Sequence, residues 1–438
     1  MQCDVRIETL GAGGDGIAHH DGAPVFVPGA LPGEQVRVDL GRAASDGCHA
    51  TLLARQNDGA ARTEPECEYF GDCGGCVAQH IAAAPYSEWK QAAIREALAH
   101  RGLGRDLGKI AMAPLIACPP ASRRRARLAL SRGGRLGFRR RGAAEIVDIA
   151  HCAILLPKLQ TLLAPLRTLA AGIAGGIGEI SLTQAPTGVD VILHGLAAPP
   201  DMAMREHLAD FTHAQGIARL AIEIRKPRGR GGKQKAAGEV ETIAQPGAVR
   251  ARFGAADVAL PCGAFLQATA AGEAAIGRLV QSGLALQAGS RAVVADLYAG
   301  IGAIGFGLAA NAASDSHRVA MFEGSAAMAD AAEEAARAAG LPVSALARDL
   351  ARRPLSVAEL KKFDAVIFDP PRAGARAQAE TLAASGVARI AAISCNPASF
   401  ARDARILVDG GYRMTELTPI DQFLWSSHVE LVAIFQHK

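Results

Sequence analysis

Ser394-Cys395-Asn396-Pro397 begins 25 residues after Asp369 of Asp369-Pro370-Pro371-Arg372, and Glu430 follows Cys395 by 35 residues. A thiol that adds to one carbon of an electron-poor ring makes the neighbouring carbon nucleophilic, and a carboxylate can then remove the proton on that neighbour. Together the two groups are enough to substitute an aromatic carbon through a covalent intermediate. Asp369 follows the apolar run Phe363 to Phe368, and Cys395 follows Ile390 to Ile393. Both runs read as buried strands, so both side chains are expected at the carboxyl end of a sheet, where doubly wound folds bind ligands. A cysteine after a strand is ordinarily a small core residue, and an acid there ordinarily caps a helix. It is the two motifs together that carry the chemical reading.

A positioning element for a second substrate lies upstream. The run Val293 to Leu297 enters Tyr298-Ala299-Gly300-Ile301-Gly302, in which Gly300, Gly302 and Gly305 have G-x-G-x-x-G spacing and Glu323 follows Gly300 by 23 residues. Alone, this fits a nicotinamide fingerprint, with Glu323 on a ribose hydroxyl. Asp296 at the strand end and the two downstream motifs, which hydride transfer does not need, favour S-adenosylmethionine in the same crevice.

Three cysteines, Cys67, Cys73 and Cys76, stand in "CEYFGDCGGCVAQH", and Cys152 follows in "IVDIAHCAIL". Gly71, Gly74 and Gly75 let a short loop fold back so that several thiolates reach one centre. Such a set holds either an iron–sulfur cluster or a zinc ion, and softness alone does not choose between them.

Four hundred and thirty-eight residues imply two to four domains, and a net charge of +4 does not by itself argue for nucleic acid. The distribution does more. Arg123, Arg124, Arg125, Arg127, Arg132, Arg135, Arg139, Arg140 and Arg141 crowd one stretch, and Arg225, Lys226, Arg228, Arg230, Lys233 and Lys235 crowd another. Each is a candidate phosphate contact or a solvated face. With no secretory signal at the start and nine cysteines, a reducing, cytoplasmic setting is expected. Asp296 and its glycines exclude a membrane span over 293–313. Residues 1–57 alternate like the strands of a small barrel, Tyr86 to His100 has helical spacing, and strands are expected within 111–250, such as Arg127 to Leu130 and Val189 to Leu193. From about 251 to 438 strands and helices alternate, which predicts a doubly wound α/β sheet.

Taken together, "GxGxDGIAxxDGxPVFVPGALPGE", C-x5-C-G-G-C, F-x-Q at Phe265-Leu266-Gln267, "DLYAGIG", "DPPR", "SCNPxSFARD" and "HVE" at 428–430 resemble the bacterial RNA 5-methyluridine methyltransferases over almost the whole chain. The resemblance implies a TRAM-like RNA-binding barrel over 1–57, a central α+β domain over 58–250 and a Rossmann-like class I methyltransferase domain over 251–438. It implies a [4Fe-4S] cluster on Cys67, Cys73, Cys76 and Cys152, and S-adenosylmethionine held by Gln267, Tyr298, Glu323, Asp349 and Asp369. By the same resemblance Cys395 is the nucleophile and Glu430, rather than His428, is the base. The substrate implied is RNA. The barrel favours 23S ribosomal RNA over transfer RNA, and a monomer is expected. Ala303 and Thr269 stand where the family usually has asparagine, and "DQFLWSSHVE" departs from the usual "D-M-F-P-x-T-x-H-V-E". Rival readings are cytosine-C5 or adenine-amino methylation, and a non-catalytic RNA-binding or assembly protein on the same scaffold.

Overall fold

The computed structural model describes residues 1–437 apart from 46, 105–109, 132, 174–175, 226–237, 287–290 and 311–316. At the amino end, six strands from Gln2–Arg6 to Gly47–Arg55 form one sheet. Alternation decides which side chains face inward: Val25 and Val27 on one strand and Val36 and Val38 on another are buried, and Phe26 and Arg37 between them are less so. A second sheet of seven strands runs from Arg125–Leu130 to Glu239–Ala244 and is antiparallel except where Gly188–Leu196 meets Arg219–Ile224. That parallel pair requires a crossover, which the helix Met202–Ala214 supplies.

The third sheet carries the chemistry. Its strands lie in the spatial order Val343–Ala347, Arg318–Glu323, Val293–Leu297, Ala365–Phe368, Arg389–Ser394, Glu430–His437 and Tyr412–Asp421. The first five are parallel, Glu430–His437 runs antiparallel to them, and Tyr412–Asp421, antiparallel to Glu430–His437, points the same way as the first five. Runs such as Ala365-Val366-Ile367-Phe368 are buried throughout because helices cover both faces, so they show no alternation. Chain order reverses between Val293–Leu297 and Ala365–Phe368, which are hydrogen-bonded neighbours. Crevices for ligands form at the carboxyl ends of such a pair.

Linear order is not spatial order in this chain. The short strands Ala111–Met112 and Ile116–Ala117 extend the third sheet beside Tyr412–Asp421, well before the rest of that sheet in sequence. The helix Ala83–His100 buries Ile94 and Leu98 in the core shared with Phe400, Leu407 and Phe435 of the same sheet layer. Among the described residues no helix is long and apolar enough to cross a membrane.

Candidate active site

The strand register brings the two chemical motifs together. Ser394 pairs with Leu431 as the last rung of the antiparallel ladder between Arg389–Ser394 and Glu430–His437, and Cys395 and Glu430 are the residues just beyond that rung, near enough for the Glu430 charge to act on the thiol. Asp369 ends the neighbouring strand, where Phe368 pairs with both Leu297 and Ala392. Burial pushes the Cys395 thiol up to about 11, and the charges of Glu430 and Asp369 add to the rise. Glu430 is held well above the usual carboxylate range by burial and by Asp369, against which a hydrogen bond from Gln422 works. Asp369 is likewise raised by burial. Two buried carboxyls and a thiol at one sheet edge can move a proton and form a covalent bond in the same place.

The loops that follow Asp369 and Cys395 are tied to each other. Asn396 caps the helix Pro397–Asp409 by accepting from the Ala398 N–H at 3.1 Å, and its side-chain amide donates to the Arg372 carbonyl at 3.1 Å. Ser399 Oγ donates to the same carbonyl at 2.9 Å.

Beside them sits the glycine loop. Tyr298 adopts φ 63°, a left-handed conformation that costs a bulky residue energy and is kept only where surrounding contacts demand it. Gly302 (φ 83°) cannot be anything larger, because a Cβ there would meet the Phe306 ring at 2.6 Å. Asp296, 1% exposed, accepts from the Gly305 N–H at 3.1 Å and is pushed up to about 8 by burial, with Asp369 next in importance. Glu323 ends its strand and accepts from the N–H of Gly300 at 2.9 Å and of Ser325 at 2.8 Å. Asp349 follows the edge strand, exposed, accepting from the Ala351 and Arg352 N–H groups. Gln267 is buried just before the helix Ala270–Leu284, whose cap is Thr269, accepting from the Gly272 N–H at 3.0 Å. Threonine serves there as an ordinary helix cap, the role an asparagine would also fill.

All four predicted cysteines line one pocket. Cys67, Cys73, Cys76 and Cys152 surround a space of about 380 Å³, its open mouth included, with Tyr69, Phe138 and Ile149 as apolar walls. The Gly75 N–H points at Cys73 Sγ at 3.5 Å. Burial pushes Cys76 up to about 12, and the charges of Cys152, Cys73 and Cys67 add to the rise. Among the described residues, no three His, Cys, Asp or Glu side chains converge closely enough to hold a single metal ion.

Several functional neighbours escape local sequence reasoning. Gln422, 1% exposed, donates to both Gln267 Oε1 at 2.8 Å and Glu430 Oε2 at 2.5 Å. Lys90 on the helix Ala83–His100 is buried against Asp421 at 2.9 Å, and Tyr86 OH donates to Asp421 at 2.7 Å, so this helix anchors the segment that leads to Glu430. Trp89 Nε1 donates to the Gly11 carbonyl of the first sheet, and the Val77 and Ala78 N–H groups donate to the Trp425 carbonyl. The arginine-rich stretch is also only partly a surface. Arg124 donates to the Gln267 carbonyl and pairs with Glu273, Arg125 donates to the Leu266 carbonyl, and Arg140 and Arg141 pair with Asp72 and Asp15. In the second basic stretch, Lys226, Arg228, Arg230, Lys233 and Lys235 lie outside the described residues.

Comparison with known proteins agrees with this architecture. The TRAM domain profile matches residues 2–53, and the profile described as tRNA (Uracil-5-)-methyltransferase matches residues 331–438. An uncharacterized RNA methyltransferase of Mesorhizobium japonicum is 41% identical over 99% of this chain and 98% of its own. The 23S rRNA (uracil(1939)-C(5))-methyltransferase of Salmonella choleraesuis is 31% identical over 99% of this chain and 95% of its own. Among solved structures, the Pyrococcus abyssi tRNA (uracil-54, C5)-methyltransferase in complex with S-adenosyl-L-homocysteine has the same fold, with TM-score 0.76 at 22% identity over 99% of both chains. The chain belongs to the family of S-adenosylmethionine-dependent RNA uracil-5 methyltransferases.

Proposed function

We propose that this protein methylates carbon 5 of a uridine in 23S ribosomal RNA through a covalent adduct on Cys395. The observation that carries the reading is that Cys395 and Glu430 lie just beyond the last rung of one ladder, Ser394 with Leu431, with Asp369 after the neighbouring strand. S-adenosylmethionine supplies an electrophilic methyl group, and the chain's own residues do the rest. Cys395 Sγ, as the thiolate after its proton has passed to a neighbouring carboxylate or water, adds to carbon 6, and the ring's carbon 5–carbon 6 π electrons move to carbon 5 and the adjoining carbonyl. Carbon 5 takes the methyl group as the donor's carbon–sulfur bond breaks. Glu430 removes the remaining carbon 5 proton, the double bond re-forms, and Cys395 Sγ leaves with its electron pair. Asp369 lies between the nucleophile and the glycine loop. Gln267, Tyr298, Glu323 and Asp349 are assigned to the donor, with Glu323 the partner for its ribose diol. Reaching this buried group requires the uridine to leave its stack.

The choice of ribosomal RNA rests on the 31% identity to the Salmonella enzyme across 99% of this chain. The barrel does not separate the two RNA classes. The Pyrococcus abyssi tRNA (uracil-54, C5)-methyltransferase matches this chain over 99% of both lengths, amino-terminal sheet included.

For the thiol pocket we propose a [4Fe-4S] cluster on Cys67, Cys73, Cys76 and Cys152. A tetrahedral zinc ion with about 2.3 Å bonds needs sulfurs within about 4 Å of one another. The four thiols line one pocket with an N–H aimed at one sulfur, and the choice of a cluster over zinc rests on the C-x5-C-G-G-C motif's resemblance to the family's. Methyl transfer consumes no electrons, so the role assigned to the cluster is to fold and position the RNA-binding region.

The substrate assignment is tested with purified protein, labelled S-adenosylmethionine, and 23S ribosomal or transfer RNA from cells lacking the gene. Label in 5-methyluridine at one 23S position is the expected result. Label in transfer RNA alone, or in methylcytidine, would replace the assignment.

A further inference from the structure

Gln422 follows Asp421 at the end of the Tyr412–Asp421 strand, and its amide has one possible orientation. Its Oε1 accepts from the Ala268 backbone N–H at 3.0 Å, and a backbone N–H is only a donor. Its Nε2 is therefore the atom that faces Gln267 Oε1 at 2.8 Å and Glu430 Oε2 at 2.5 Å, one hydrogen for each acceptor. This in turn fixes Gln267. With its oxygen turned toward Gln422, Gln267 turns its N–H2 group the other way, which suits an acceptor on the ligand. Nothing around Gln422 is loose. A Cβ on Gly272 would stand 2.9 Å from Gln422 Cβ, so the helix start packs directly on the side chain, while Lys90 and Tyr86 hold the preceding Asp421.

We propose that Gln422 is a positioning residue that joins the two halves of the site, holding the Glu430 carboxylate in line with carbon 5 while presenting Gln267 to the ligand as a donor. The proposal rests on the reading of Glu430 as the base. Its consequence is specific to one step. Addition of Cys395 and methyl transfer do not use the Glu430 carboxylate, whereas proton removal and release of the thiol do. At saturating S-adenosylmethionine, loss of Gln422 thus slows the second stage and spares the first, while the contact to Gln267 is read in the S-adenosylmethionine concentration needed to reach saturation.

The experiment is a single-turnover reaction of the full protein with RNA and S-adenosylmethionine, quenched in denaturant, in which covalent protein–RNA adduct is followed as it forms and decays. Gln422→Met keeps the side chain's length and removes both donors. Its adduct is expected to form within about threefold of the wild-type rate and to decay about ten- to a hundredfold more slowly, the size of a lost hydrogen bond to a charged group. A folded Gln422→Met protein whose adduct decays at the wild-type rate overturns the proposal. If that variant fails to fold, Gln422→Glu decides, because it keeps both the length and the acceptor for Ala268. Slow decay supports the role, and wild-type decay overturns it. Glu430→Gln is run in parallel. If its adduct also decays normally, the underlying assignment of the base falls and Gln422 with it. If Glu430→Gln stalls while the Gln422 variants decay normally, the role of Gln422 alone is refuted.

Discussion

The catalytic cluster and the thiol pocket both gather groups that become anionic when they lose a proton, and they are built in opposite ways. Asp296, Asp369, Cys395 and Glu430 sit at or beside the ends of adjacent hydrogen-bonded strands, so the ladder sets their separations. Cys67, Cys73, Cys76 and Cys152 come from a loop with little regular structure and from a second segment about 76 residues beyond Cys76. Burial raises the pKa in both places. At the strand ends that brings carboxyl groups closer to neutral pH, where they exchange protons more readily than exposed carboxylates. In the pocket it leaves thiols that favour the thiolate only when a cation replaces the protons. A site that must repeat a reaction is built on strands, and a site that must be filled once is built on loops.

The largest expected effect breaks the pocket and leaves the strands. Anaerobically purified protein should carry about four irons per chain. Cys73→Ala should bring that toward zero and lower folding yield and RNA binding, with iron measured by elemental analysis and folding by circular dichroism. Stoichiometric zinc without iron would remove the cluster from the account. Next in size is Glu323→Ala, which takes the acceptor from Gly300 and from a ribose diol. The KM for S-adenosylmethionine should rise about ten- to a hundredfold while RNA affinity holds. A fall in RNA affinity instead would misplace the crevice.

The smallest effect sharpens the electrostatic half of the comparison. Asp296 rises from 3.8 when unfolded to about 8 when folded, so its folded pKa is the higher one. The stability linked to it is fully present below about pH 4 and is lost as pH rises through about 8. Asp296→Asn, which still offers an oxygen to the Gly305 N–H, should raise the melting temperature of the ligand-free protein by about 2 °C at pH 8.5 and by less at pH 5. An equal gain at both values would mean that ionisation of Asp296 has no part in it.

Local sequence exposed much of this site because strand ends and glycine turns are local features. Val293 to Leu297, Phe363 to Phe368 and Ile390 to Ile393 read as strands, and the observed strands Val293–Leu297, Ala365–Phe368 and Arg389–Ser394 match to within two residues. The helix expected from Tyr86 starts three residues earlier, at Ala83. What local pattern does not carry is pairing. That Glu430 lies near Cys395 depends on a long antiparallel return, and that Gln422 bridges Gln267 and Glu430 depends on contacts 155 residues apart in sequence. Its one visible signal was an amide following an acid at the end of an apolar strand, in "PIDQF". Arg124 and Arg125 read as surface charge for the same reason. Their acceptors are carbonyls of Gln267 and Leu266, more than 140 residues later.

The central claim is that Cys395 forms the adduct and Glu430 ends it. The most direct measurement is the fate of the protein–RNA bond in Glu430→Gln, read on a denaturing gel against the same substitution in a Cys395→Ala background. The account predicts a denaturant-resistant band of methylated RNA on Glu430→Gln alone, and no adduct and no product from any protein lacking Cys395. Normal turnover by Glu430→Gln, or a band that persists without Cys395, would contradict it.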